Sequence, residues 1–182
     1  MSTDINFGSL RLPINELVTT AAVGDFPSPR LGWTVAAGGI LGGQIDHRDI
    51  SGGGALSGQI NWLPVYEGDH TPFLAVTGSV GVSYVRAPAD DNMMRGWTAG
   101  DIRGGVTVGK TFFDRFVVYG SGRTFGGPVY WMHAGEQITG NDRYHYTFGG
   151  GLTVRLPANF DASLEAMPIG EKTMAFGLTR HL

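Results

Sequence analysis

Residues 141–156 read N-D-R-Y-H-Y-T-F-G-G-G-L-T-V-R-L, and the alternation in this stretch decides the fold class. From Tyr144 onward one face collects Tyr144, Tyr146, Phe148, Gly150, Leu152, Val154 and Leu156, and the other His145, Thr147, Gly149, Gly151, Thr153 and Arg155. A period of two is the period of a β-strand. A strand on the outside of a soluble sheet shows Lys, Glu, Asp and Gln to water, whereas this polar face is mostly Gly and Thr. The run is about 13 residues long, against about 5–6 for an ordinary strand and about 9–11 for a tilted strand that crosses a bilayer. The stretch predicts a strand with its apolar face on lipid and its small polar face in a narrow lumen.

The bulk composition agrees. A chain of 182 residues is one domain, long enough to bury a core or close a small barrel. Its 30 glycines and a charged fraction of 16%, below the roughly 25% of soluble domains, favour strands and turns. The net charge is −3, and 13 Lys and Arg against 16 Asp and Glu form no basic stripe, which argues against nucleic acid as a partner. Cysteine is absent, so disulfides, thiolate metal sites and Cys nucleophiles are all removed. No cofactor and no metal are expected. No apolar run of about 18 residues exists, so no transmembrane helix is predicted. Alternating strands escape that test, and the mean hydropathy of −0.02 is what their averaging gives. The start, M-S-T-D-I-N-F, lacks the basic and apolar regions of a signal peptide, so an exported protein reads here as a mature chain with a start Met.

Residues 1–29 differ from the rest, with Pro13, Pro27 and Pro29 around I-N-E-L-V-T-T-A-A-V. They read as an N-terminal extension, either an arm, a plug or a short helix, ended by D-F-P-S-P. Residues 30–182 then fall into eight candidate strands, at about 30–46, 55–66, 71–86, 96–112, 116–131, 144–156, 160–166 and 173–182. In the first, Leu31, Trp33, Val35, Ala37, Gly39, Leu41 and Ile45 share a face, with Ile40 the exception. In the fifth the parity is ambiguous, and Gly126-Gly127-Pro128 suggests a bulge. Residues 133–143 read as the longest loop. Wider polar connections alternate with tighter turns, as they do when they lie on opposite sides of a membrane.

Aromatic placement supports the same fold class. With the first strand rising from the periplasm, Trp33, Trp62, Tyr66, Phe73, Phe112, Phe116 and Phe160 fall near one rim. Tyr84, Trp97, Tyr130, Trp131, Tyr144 and Tyr146 fall near the other. Amphipathic rings collect at the two headgroup boundaries, whereas a soluble barrel does not sort aromatics by height. The rival architecture, a soluble eight-stranded barrel with apolar faces inward, would leave an outer face of Gly, Ala, Ser and Thr with little charge.

Few motifs point to chemistry. Residues 104–111, G-G-V-T-V-G-K-T, match the phosphate-loop pattern letter for letter, but V-T-V sits in an alternating strand and no helix follows. His133, Glu136, Asp142 and His145 lack tight metal-ligand spacing, and Asp90-Asp91-Asn92 lacks the spacing and glycine of a calcium loop. Both groups read as polar loops. Asp101, Arg103, Arg123, Arg155, Asp161 and Glu165 face the lumen on consecutive strands. Buried single charges are costly, so both signs together predict a paired network that fills the lumen. The other reading of that network is a gated ion path.

Eight strands, tight turns alternating with wider loops, two aromatic rims and a polar lumen resemble the small eight-stranded outer-membrane proteins of the OmpA and OmpX type, over residues 30–182. The terminal M-A-F-G-L-T-R-H-L is similar to their assembly signal, with Phe176, Leu178 and Leu182 on one face, although members usually end in Phe. The resemblance implies an all-β, eight-stranded antiparallel up-and-down transmembrane β-barrel in a bacterial outer membrane. It would contact the lipid bilayer, the assembly machinery and an envelope protein partner through its loops or its N-terminal arm. The expected role is non-enzymatic: anchor, adhesion surface or component of an envelope assembly. A small-solute or ion channel is one alternative. A lipid A-modifying hydrolase is the other, because His145-Tyr146-Thr147 loosely resembles the His-x-Ser of lipid A deacylases, with Thr in place of Ser.

Overall fold

The computed structural model describes residues 2–7, 10–45, 48–88, 94–133, 136–142 and 145–182, and every regular element among them is a strand. In chain order these are β1 (Ser2–Phe7), β2 (Leu10–Ser28), β3 (Leu31–Ile45), β4 (Arg48–Asp49), β5 (Gly52–Val65), β6 (Phe73–Pro88) and β7 (Met94–Phe112). They continue with β8 (Phe116–Gly126), β9 (Pro128–His133), β10 (Glu136–Asp142), β11 (Tyr146–Leu156), β12 (Phe160–Gly170) and β13 (Thr173–Arg180). All pairings are antiparallel and most join neighbours in sequence.

β7 is the branch point. Its C-terminal part pairs with β8, from Ile102↔Gly126 to Phe112↔Phe116, and its N-terminal part pairs with β9 at Trp97↔Trp131, Thr98↔Tyr130 and Ala99↔Val129. β8 and β9 are one long strand broken at Gly127, where a Cβ would run into the carbonyl group of Gly100. This break is not the bulge expected at Gly126-Gly127-Pro128, because Ile102↔Gly126 and Ala99↔Val129 keep one register along β7 with no residue inserted. Through β9, β10, β1, β2, β3, β5, β6 and back to β7, a ring of eight strands closes at one end of the sheet, the upper end below. From β8 the sheet continues through β11 and β12 to β13 toward the lower end, where the tight turns lie.

Three expectations are corrected. Residues 1–29 are not an extension outside the sheet: they contain β1 and the whole of β2, paired from Ser2↔Asn15 to Phe7↔Leu10. The alternation in β2 is faint because V-T-T-A-A-V has little polar contrast, and the ladder to β3 breaks between Asp25 and Ser28, around Pro27, which has no N–H to give. Among the described residues thirteen strands replace the expected eight. Residues 133–143 are not a long loop, because β10 lies within them and pairs with β1 and β9.

The interior has two zones. Inside the ring, Ile5, Phe7, Leu12, Ile14, Ile40, Val85, Trp97, Val129 and Trp131 form a buried apolar core. The Phe7 and Trp97 rings meet edge-on with centroids 5.3 Å apart, and Trp97 and Trp131 lie 5.7 Å apart. Each such ring adds about 2–3 kcal/mol of burial, and each ring pair about 1 kcal/mol more. Ile45 belongs to this core rather than to the outer face, because the ladder slips at Leu17/Val18 opposite Gly42 and Ile40 and inverts the parity beyond Leu41. Toward the lower end the interior is lined by small and charged residues.

Candidate membrane interface and interior charge network

Strand parity turns apolar side chains outward on successive strands of the sheet. Leu56 and Ile60 on β5, Val80 and Val82 on β6, Ile102 and Val106 on β7, Phe148 on β11 and Leu164 on β12 are all exposed. Ile102 is 66% exposed and Phe176 77%. Single exposed apolar residues are ordinary, but a continuous belt around many strands is not.

Among the residues expected at the lower rim, Trp33, Trp62, Tyr66, Phe112 and Phe116 stand exposed on the outer face. The Arg30 guanidinium lies 5.4 Å from the Tyr66 ring and that of Arg180 5.8 Å from the Phe160 ring. Phe73 is half-buried, its ring lying across Gly109. At the upper rim Tyr84, Tyr130 and Tyr146 are exposed. Trp97 and Trp131 do not join them. At 3% and 9% exposure they are the centre of the inner core, because Trp131 and Tyr130 are adjacent in one strand and cannot share a face. Tyr144 lies outside the described residues. Phe176, Leu178 and Leu182, read as an assembly signal, are exposed.

The interior charges form two clusters. Arg103 bonds Asp101, lies 3.4 Å from a Glu171 oxygen, and stands 5.0 Å from the Phe125 ring. Arg123 reaches Glu165 at 2.5 Å, and the Tyr119 hydroxyl lies 3.3 Å from the same carboxylate. The other two residues expected in this network sit at its lower end: Asp161 meets His181 at 2.9 Å, and Arg155 donates to the Asp114 carbonyl at 3.4 Å. Both are opposite each other in the β11–β12 ladder.

Glu171 was not foreseen. P-I-G-E-K falls between the seventh and eighth candidate strands, yet Glu171 is 1% exposed, and its carboxylate has no hydrogen-bond partner among the described residues. The β12–β13 hairpin stops at the height of Thr147, which pairs with Gly170, so its turn folds inward beneath the ring. Thr147 holds it there, its hydroxyl 2.9 Å from the Ile169 carbonyl oxygen and 3.0 Å from that of Glu171. His145 instead places its ring 3.2 Å from the Phe125 carbonyl oxygen.

Residues 104–111 lie within β7, as a strand rather than a phosphate loop. Lys110 reaches the loop between β5 and β6, contacting the Gly68 carbonyl and lying 3.5 Å from Glu67. Glu67 also accepts from the Thr111 hydroxyl and backbone N–H, both at 2.6 Å. These bonds, the side-chain one first, hold its carboxyl below the usual 4.5. Among the described residues no group of three His, Asp or Glu is placed to hold a metal ion. Asp90, Asp91 and Asn92 lie outside the described residues, and the side chains of His133 and Glu136 are also undescribed.

Compared with protein-family models, with curated proteins and with solved structures, the chain finds no match in any of the three.

Proposed function

We propose that this protein is a membrane-spanning β-barrel of a bacterial outer membrane, of the small OmpA and OmpX architectural type, with a non-enzymatic role as an anchor, adhesion surface or part of an envelope assembly. The apolar outer belt carries this reading. Ile60, Ile102 and Phe176 project from three separate walls at 59%, 66% and 77% exposure, which water penalises and hydrocarbon does not. The small or charged residues then face inward, paired as Arg103–Asp101 and Arg123–Glu165. Rings at Trp33, Trp62 and Tyr66 below, and at Tyr84, Tyr130 and Tyr146 above, suit the two headgroup boundaries.

The apolar core around Phe7, Trp97 and Trp131 crosses the ring and favours a closed lumen over a solute channel. The engagement of the Thr147 hydroxyl with two backbone carbonyls favours a structural role for it over that of a nucleophile.

The four tryptophans provide the test. Single-tryptophan variants reconstituted in vesicles of brominated phospholipid should show strong quenching for Trp33 and Trp62 and little for Trp97 and Trp131. Equal quenching at all four, or a monomeric protein that stays folded without detergent and shows no heat-dependent gel mobility, overturns the membrane reading.

A further inference from the structure

The eight-strand ring closes only the upper level of the wall. Below β1 the wall is a nine-strand sheet, from β2 through β3, β5, β6, β7, β8, β11 and β12 to β13. Each neighbouring pair is antiparallel. Eight reversals leave the two edges, β2 and β13, running in the same direction. No ladder joins them, and their Cα traces stay beyond 8 Å almost throughout, whereas paired strands lie about 4.8 Å apart. Residues 17–28 of β2 are exposed on both faces, unlike the alternating strands elsewhere. A cavity of about 650 Å³ opens through this slot, from Leu17 and Met174 outside to Asp101 and Asp142 inside.

We propose that the slot between β2 and β13 binds one extended polypeptide segment of a partner protein, antiparallel to both edges, which completes the wall as a further strand. The proposal rests on the membrane reading above, because in lipid the unpaired N–H and C=O groups of two open edges are costly.

Direction and precedent select this occupant. Two parallel edges cannot form the antiparallel ladder used everywhere else in this wall, but a single strand reversed against both can. Such a strand needs the edges about 10 Å apart, twice the ordinary spacing. β1 already follows this path one level higher: it pairs with β2 in the antiparallel sense, and its Ser2 end, opposite Asn15, lies at the upper end of the slot. An acyl chain could cover Leu17 and Met174 but offers nothing to the edge backbone groups.

The lining sets the chemistry of the segment. Its outward residues are apolar, to continue the belt, and its inward ones small or polar. Asp101 and Asp142 lie with Arg103 along the inner mouth, so a lysine or arginine belongs near the segment's upper, C-terminal end.

The absence of native cysteine makes the test direct. A fluorophore is attached in micelles to the full chain carrying Thr20→Cys in the slot, or Ile102→Cys on the far wall. The probe is a synthetic peptide of about ten residues, the length of one membrane strand, alternating leucine with serine, ending in lysine and bearing a spin label. Saturable quenching at Thr20→Cys, none at Ile102→Cys, and none with a peptide of the same composition but no alternation are expected. A protein with heat-modifiable mobility that shows no difference between the two positions overturns the slot proposal alone. A protein without that mobility shift overturns the membrane reading and the slot with it. Quenching by a spin-labelled phospholipid that the peptide cannot displace assigns the slot to lipid and also overturns it. Spontaneous disulfide formation in the Thr20→Cys/Ala175→Cys double variant, which needs Cα atoms within about 7 Å, would mean that the edges close on themselves.

Discussion

Glu165 shows how much a single residue could reveal from the sequence and where that ends. Its inward parity and the opposite charge of Arg123 predict a pair, and the two meet at 2.5 Å with the Tyr119 hydroxyl beside them. Both side chains are largely covered, at 17% and 31% exposure, so removing one charge strands the other. Glu165→Gln is expected to lower stability by about 2 kcal/mol, read as a shift in the denaturant midpoint of folding into micelles. Asp161→Asn, whose partner His181 is 60% exposed, should cost less than about 1 kcal/mol. Glu171 shows the opposite case. Nothing in P-I-G-E-K distinguishes it from a solvated turn, since its burial comes from the height at which one hairpin ends beneath another strand. Trp131 was misplaced for a simpler reason: its neighbour Tyr130 took the outer face, and two adjacent strand residues point opposite ways.

At the scale of elements, β5, β6, β7 and β11 follow the alternation closely, and the tighter connections lie where Gly, Pro, Asn and Asp put them. The hidden elements are those with low contrast. β2 is masked by V-T-T-A-A-V, and β10 by the polar sequence E-Q-I-T-G-N-D. Each is a strand because a neighbour offers it a ladder. The loop between β5 and β6 gives a pH prediction. Thr111 and Lys110 lower the pKa of Glu67 below 4.5 in the folded protein, so the anchorage is fully present above that ordinary value. It is lost as pH falls through the depressed one. Protection of the Thr111 amide, whose N–H donates to Glu67, measured against the intrinsic exchange rate at each pH, should therefore be retained at neutral pH and fall only once the pH is well under 4.5. Glu67→Gln should weaken that protection already at neutral pH.

For the whole molecule, the apolar core within the ring is the feature with the largest consequence. Trp97 packs against Phe7 and Trp131 and lies beside Val85 and Val129. Trp97→Ala is expected to cost about 3–5 kcal/mol, measured by denaturant unfolding. If this core seals the lumen, the variant should also pass ions in planar bilayers where the native protein does not. The sequence alone determined that the chain is all-β, that its strands are long, and that one face is greasy and the other small or charged, because a period of two and a shortage of charge are local properties. Only the tertiary structure decided which residues close the ring, that the N-terminal strands belong to the wall, that two tryptophans point inward, and that β2 and β13 face each other unpaired. Those facts depend on which strands meet across long stretches of chain. Backbone hydrogen bonds join strands whatever their side chains, so pairing leaves almost no local trace in the residues that take part.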